Sequence, residues 1–141
     1  MLTHVEFRAP RFLTSDADDQ ALNPGVRGKA LASFLYDALR SAGIETGEPY
    51  AEDWGWVVPV VNDEFELWVG CGYYAEYADG FLCFIEPHTP TIRRWLRKIQ
   101  TRSRLEQLQR ALDEVLAEGV GIHGKSWCTY EEFNKPRNAN T

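Results

Sequence analysis

Residues 54–71 read Trp-Gly-Trp-Val-Val-Pro-Val-Val-Asn-Asp-Glu-Phe-Glu-Leu-Trp-Val-Gly-Cys, two alternating runs joined by polar residues. Trp54, Trp56, Val58 and Val60 alternate with Gly55, Val57, Pro59 and Val61. After Asn62-Asp63, Phe65, Leu67, Val69 and Cys71 alternate with Glu64, Glu66, Trp68 and Gly70. A period of two marks strands, because successive side chains leave opposite faces of the pleat. A turn at Asn62-Asp63 sets Val60 opposite Phe65, Val58 opposite Leu67 and Trp56 opposite Val69, so both apolar sets share one face. Pro59 has no N–H to donate, so its nitrogen must point away from the partner strand. A four-residue turn over 61–64 achieves this and predicts a strand that is an edge, or bulged, near Pro59.

Working outward, Ala78-Asp79-Gly80 predicts a second hairpin, with Gly80 in a left-handed position. It pairs Tyr77 with Phe81, Ala75 with Cys83 and Tyr73 with Ile85. The opposite face of this sheet collects Val57, Val61, Trp68, Tyr74, Leu82 and Phe84. Upstream, Asn23-Pro24 is a cap-then-proline start. Leu31, Phe34, Leu35, Ala38 and Leu39 follow the stripe of a core-packed helix, and Gly43 stops it. Residues 2–7 alternate as a short strand, and 10–21 read as a loop.

Downstream, Thr89-Pro90 repeats the start signal, and Ile92, Trp95, Leu96 and Ile99 predict a helix. Leu105, Leu108, Leu112, Val115 and Leu116 form a second stripe on nearly the opposite side of an imaginary continuous helix. The chain is therefore expected to break near Thr101, with Ser103 and Glu106 as a capping box, and to end that helix at Gly119. Thr129 and Glu132 suggest one more short turn. These readings predict an α+β fold: an antiparallel meander of three to four strands, one long helix before it and two after it. One domain over 1–133 and a disordered polar tail over 134–141 complete the expectation.

The chain has 141 residues, 44% hydrophobic and 13% aromatic with five Trp, enough to fill one core. Its net charge of −6 does not suit a general nucleic-acid binder, whose affinity rests on neutralising phosphates. No run approaches the roughly 18 apolar residues of a membrane span. The N-terminal residues lack the apolar core of a signal peptide. Cys71, Cys83 and Cys128 are odd in number and without CxxC spacing, as expected of reduced thiols in the cytoplasm.

No catalytic set emerges. Cys83 and His88 are five residues apart, but strand direction carries them away from each other, and Cys71 falls on the core face. His4, His88 and His123 stand alone, so no metal site is expected. Gly70-Cys71-Gly72 lacks the strand–turn–helix setting of a phosphate loop, and no cofactor is implied. The acidic run of Glu45, Glu48, Glu52 and Asp53 reads as a solvated approach to a core strand.

One charge pattern is out of keeping with an acidic chain. Arg93, Arg94, Arg97, Lys98, Arg102 and Arg104 lie within twelve positions that contain no acid. Arg94, Arg97 and Lys98 are the candidate binding residues, Arg93 being assigned nearer the buried stripe. Trp68 and Tyr74 on the second sheet face are the other candidates, a surface that would also serve a homodimer. The expectation is a small binding protein of immunity, inhibitor or accessory type, with a protein partner and neither membrane nor nucleic acid. The alternative is a small enzyme acting on a nucleotide or other phosphorylated small molecule. The two differ in whether polar groups converge in a pocket.

Overall fold

The computed structural model describes residues 1–15, 27–74 and 76–135. Its body is a six-stranded antiparallel sheet in the order β2-β3-β4-β5-β1-β8. The strands are β1 (Leu2–Arg8), β2 (Tyr50–Glu52), β3 (Gly55–Val60), β4 (Leu67–Tyr73), β5 (Gly80–Glu86) and β8 (His123–Thr129). A separate two-stranded hairpin is formed by β6 (Thr91–Arg94) and β7 (Arg97–Gln100). Four helices are described: α1 (Pro10–Ser15), α2 (Lys29–Ser41), α3 (Arg102–Glu118) and α4 (Tyr130–Asn134).

This overturns the expected architecture of a three- to four-stranded meander with two helices after it. β3, β4 and β5 do pair in sequence, but β2, β1 and β8 extend the sheet on both sides. A single long helix follows the meander, and the predicted helix over residues 91–100 is a hairpin. Part of the predicted loop over 10–21 is α1; the predicted cap at Asn23-Pro24 lies outside the described residues.

The alternation located the strands, but both hairpin registers differ from expectation. Val60 faces Leu67, Val58 faces Val69 and Trp56 faces Cys71. Tyr73 faces Phe81, Val69 faces Ile85 and Cys71 faces Cys83. The shifts are even, two positions for the first hairpin and four for the second, so the paired side chains keep their predicted faces. Trp54, expected beside Trp56 on the core face, precedes β3 and instead meets Trp68 and Phe84 on the other face. Both loops are simply longer than the shortest turn. Asn62 Nδ2 donates to Phe65 O, which ties the first loop together and leaves Phe65 buried outside the strand.

Pro59 behaves as its chemistry requires, although β3 is internal. Gly47 N donates to Pro59 O, and Val61 N to Glu45 O, so the segment 45–47 runs beside β3 where β2 has ended. A residue's N and O leave a strand on the same side, so the Pro59 nitrogen also points there and not at β4.

α2 packs on β3 and β4, and α3 on β1 and β8, all on one face. Leu31, Leu35, Leu39, Leu105, Leu108, Leu112 and Leu116 meet Val5, Phe7, Val58, Val69, Cys71, Phe81, Cys83 and Ile85 in one core. The expected stripes of both helices are thus the buried ones, and Gly43 takes φ +89° to end α2. Thr101 precedes α3, but its hydroxyl donates to Thr89 O and closes the base of the hairpin. That side chain is therefore not a cap, and Ser103 lies inside the helix instead of starting it. β8, which the sequence did not reveal, is tied to α3 by Asp113. Its carboxylate takes Lys125 Nζ at 2.6 Å and Trp127 Nε1 at 2.7 Å.

Candidate functional site

Residues 91–100 form a ribbon in which Thr91 faces Gln100, Ile92 faces Ile99, Arg93 faces Lys98 and Arg94 faces Arg97. Trp95-Leu96 is the two-residue loop at its tip. Ile99 is buried and Ile92 packs against the core, which anchors one side of the ribbon. Alternation sends Arg94 and Arg97 to that same side, where Arg94 Nη1 donates to Glu64 O at 3.1 Å. Arg93 and Lys98 leave from the other side, into solvent. Arg93 thus belongs to the exposed charge and not to the buried stripe, because a strand, unlike a helix, separates it from Ile92.

Two features of this hairpin work against its own stability. Like charges face each other in two successive pairs, an unfavourable cross-strand arrangement. The tip exposes Trp95 at 90% and Leu96 at 86%, while Trp95 takes φ +60°, the one non-glycine residue with positive φ among the described residues. Two-residue hairpins favour turns with positive φ, which normally select Gly, Asn or Asp. A bulky residue there is strained, and no described residue covers its ring.

The second sheet face is the other candidate surface. Leu82 and Val57 on it are buried, while Trp68 and Phe84 are half-buried and Trp54 is 44% exposed. Trp54, Trp68 and Phe84 meet with ring centroids 5.2–6.0 Å apart. Phe84 lies over Gly70, where an added Cβ would stand 2.3 Å from its ring, so the glycine makes the floor for the aromatic. Val61 lies beyond the end of β3 and is exposed. Tyr74 is in the β4–β5 loop, donating its hydroxyl to Glu76 Oε2 at 2.5 Å, and does not join the Trp54–Trp68 group.

At the other end of this face α4 packs on β1 and β8. Its Thr129–Glu132 capping box is formed as the sequence suggests. Phe133 stacks on His4 at 5.0 Å, and Tyr130 stacks on His88 at 3.7 Å. Glu86 holds the His88 Nδ1 at 2.9 Å. Burial, and next the neighbouring His88, lower the His4 pKa to about 4, with Glu131 opposing them, so His4 is neutral near pH 7. It is a core histidine.

Cys71 and Cys83 are both fully buried and free. Burial, and then contact with Cys71, push the Cys83 thiol well above its ordinary range, away from nucleophilic thiolate chemistry. Among the described residues no group of three or more His, Cys, Asp or Glu could hold a metal ion. The cleft beside the hairpin, about 330 Å³, is lined by Asp63 and Glu64 as well as Arg94 and Arg97. Its carboxylates oppose binding of a phosphate. The predicted site residues therefore do not converge: Arg94, Arg97 and Lys98 share the hairpin, Trp68 sits on the sheet face, and Tyr74 lies apart. What the sequence reading missed is Trp95-Leu96, assigned to a helix stripe, which is the most exposed apolar pair on the ribbon. Compared with family models, curated proteins and solved structures, the chain matches none.

Proposed function

We propose that this chain is a small binding protein acting through a protein–protein surface, in the manner of an immunity protein, inhibitor or accessory subunit. The β6–β7 hairpin is its contact element. The observation that carries this reading is Trp95: an aromatic held at positive φ and 90% exposed, on a ribbon whose facing residues are all cationic nearest the tip. Strain and exposed apolar area without an internal return are explained when a partner supplies the return. Trp and Arg are also the residue types that dominate binding hot spots. The partner is a protein with an acidic surface, because the body's net negative charge disfavours nucleic acid. Three free cysteines are compatible with a reducing cytoplasm as its place of action. Among the described residues no helix is long and apolar enough to cross a membrane.

The test compares capture from native-host extract by the wild-type chain and by the Arg94→Glu/Arg97→Glu/Lys98→Glu variant. All three side chains are exposed, so the fold should persist. Loss of a specific partner by the variant, and weaker capture as salt rises, are the expected results. Undiminished capture would remove the hairpin and direct attention to Trp68 and Tyr74.

A further inference from the structure

The hairpin and the open half of the sheet face are complementary in both charge and chemistry. We infer that a second copy of this chain is a ligand for the hairpin, its Trp95-Leu96 tip seating on the Trp54–Trp68–Phe84 surface. The inference rests on the reading of the hairpin as a docking element.

The receptor side is built from strand positions. Tyr50, Val57, Gly70 and Phe84 lie in one cross-strand row, and Pro59 faces Trp68 in the next. Gly70 has no side chain, so Phe84 lies low over it and the aromatic floor stays accessible. α2 packs on the opposite face of β3 and β4, and α4 reaches β1 and β8. Tyr50 is 48% and Trp54 44% exposed, a large aromatic area for one edge of a sheet. Carboxylates stand near it in the chain: Glu52 and Asp53 directly precede Trp54, Glu66 is two residues before Trp68, and all three are exposed.

The ligand side carries the matching chemistry. Arg93 and Lys98 on one side of the ribbon and Arg94 and Arg97 on the other bracket the Trp-Leu tip. A guanidinium on an indole face and an indole on an indole are both favourable, and carboxylates at the rim meet the remaining charge. The chain as a whole is at −6, so net charge opposes association of two copies, and contact of this basic element with an acidic rim works against that repulsion. Within one copy the tip makes no such contact, since Trp95 is 90% exposed. The contact is small, so the association is weak, with a Kd between about 1 µM and 1 mM.

Sedimentation velocity on the full chain, from about 10 µM to about 500 µM, tests this directly. Reversible association that weakens between about 50 mM and 500 mM salt is expected. Trp95→Gly should raise the Kd about tenfold or more. The paired variants Arg97→Glu/Lys98→Glu and Glu52→Lys/Asp53→Lys should each be monomeric alone, yet associate with one another when mixed. That restoration requires the hairpin of one copy to meet the rim of the other. A monomer throughout the range overturns the inference, as does association that survives both swaps. A monomer that still captures a partner through its hairpin would leave the proposed function standing, and so separates the two.

Discussion

Replacing Trp95 by glycine separates a binding tip from a structural one, because the two readings predict opposite signs. Holding an L-residue in the left-handed region costs about 1–2 kcal/mol, and glycine is free of that cost. Glycine loses more chain entropy on folding, roughly 0.5–1 kcal/mol. The ring itself contributes little, since 90% of the residue's surface already faces solvent. The sum leaves Trp95→Gly between about 0 and 1.5 kcal/mol more stable than the wild type. A tryptophan that anchored the core would instead lose about 3–5 kcal/mol on truncation. Urea unfolding followed by far-UV circular dichroism gives the midpoint and slope needed to compare them. The expected result is an unchanged slope with an equal or higher midpoint, together with loss of partner capture. Destabilisation by more than about 2 kcal/mol would refute the argument that the tip is strained and uncovered.

Other outcomes follow from the same packing. His4, with its folded pKa lowered to about 4, disfavours the protonated form, so its contribution is intact above the unfolded value of about 6.5 and is lost as pH falls from there toward 4. At pH 5 the loss is about 2 kcal/mol, and His4→Phe should flatten the pH dependence of the urea midpoint between pH 7 and 4.5; identical curves for the two proteins would contradict it. Gly70→Ala should destabilise by about 1–3 kcal/mol, because its methyl group meets the Phe84 ring. In the Phe84→Ala background that penalty should largely vanish, and additive effects in this double-mutant cycle would exclude the contact as the cause. Native-state labelling with a thiol reagent should modify Cys128 first and leave Cys71 and Cys83 untouched; rapid labelling of either buried thiol would overturn their assignment to the core.

The sequence by itself determined the core face of the paired strands β3 and β4 and of the two long helices, though not the placing of Trp54, Trp95 or Leu96. Alternation over 56–71 and the leucine stripes over 31–39 and 105–116 each name one face, and a strand or helix places that face against the rest whatever its exact register. Even register shifts left those assignments intact. Local chemistry was equally legible at Pro59, Gly43 and the Thr129–Glu132 box, where the deciding contacts lie within a few residues or follow from a missing N–H. Tertiary structure alone decided the rest. Residues 91–100 read as a helix because Ile92, Trp95, Leu96 and Ile99 fit a helical stripe, yet only Ile92 and Ile99 find the core. The Thr101 hydroxyl and N–H, bonded to Thr89 O and Pro90 O, close the segment into a hairpin from its base. β8 has no clear period because it is an edge strand, held by partners on β1 and by Asp113 of a distant helix. The binding tip was hidden for the same reason: burial of Ile92 and Ile99, a long-range event, is what turns Trp95 and Leu96 outward.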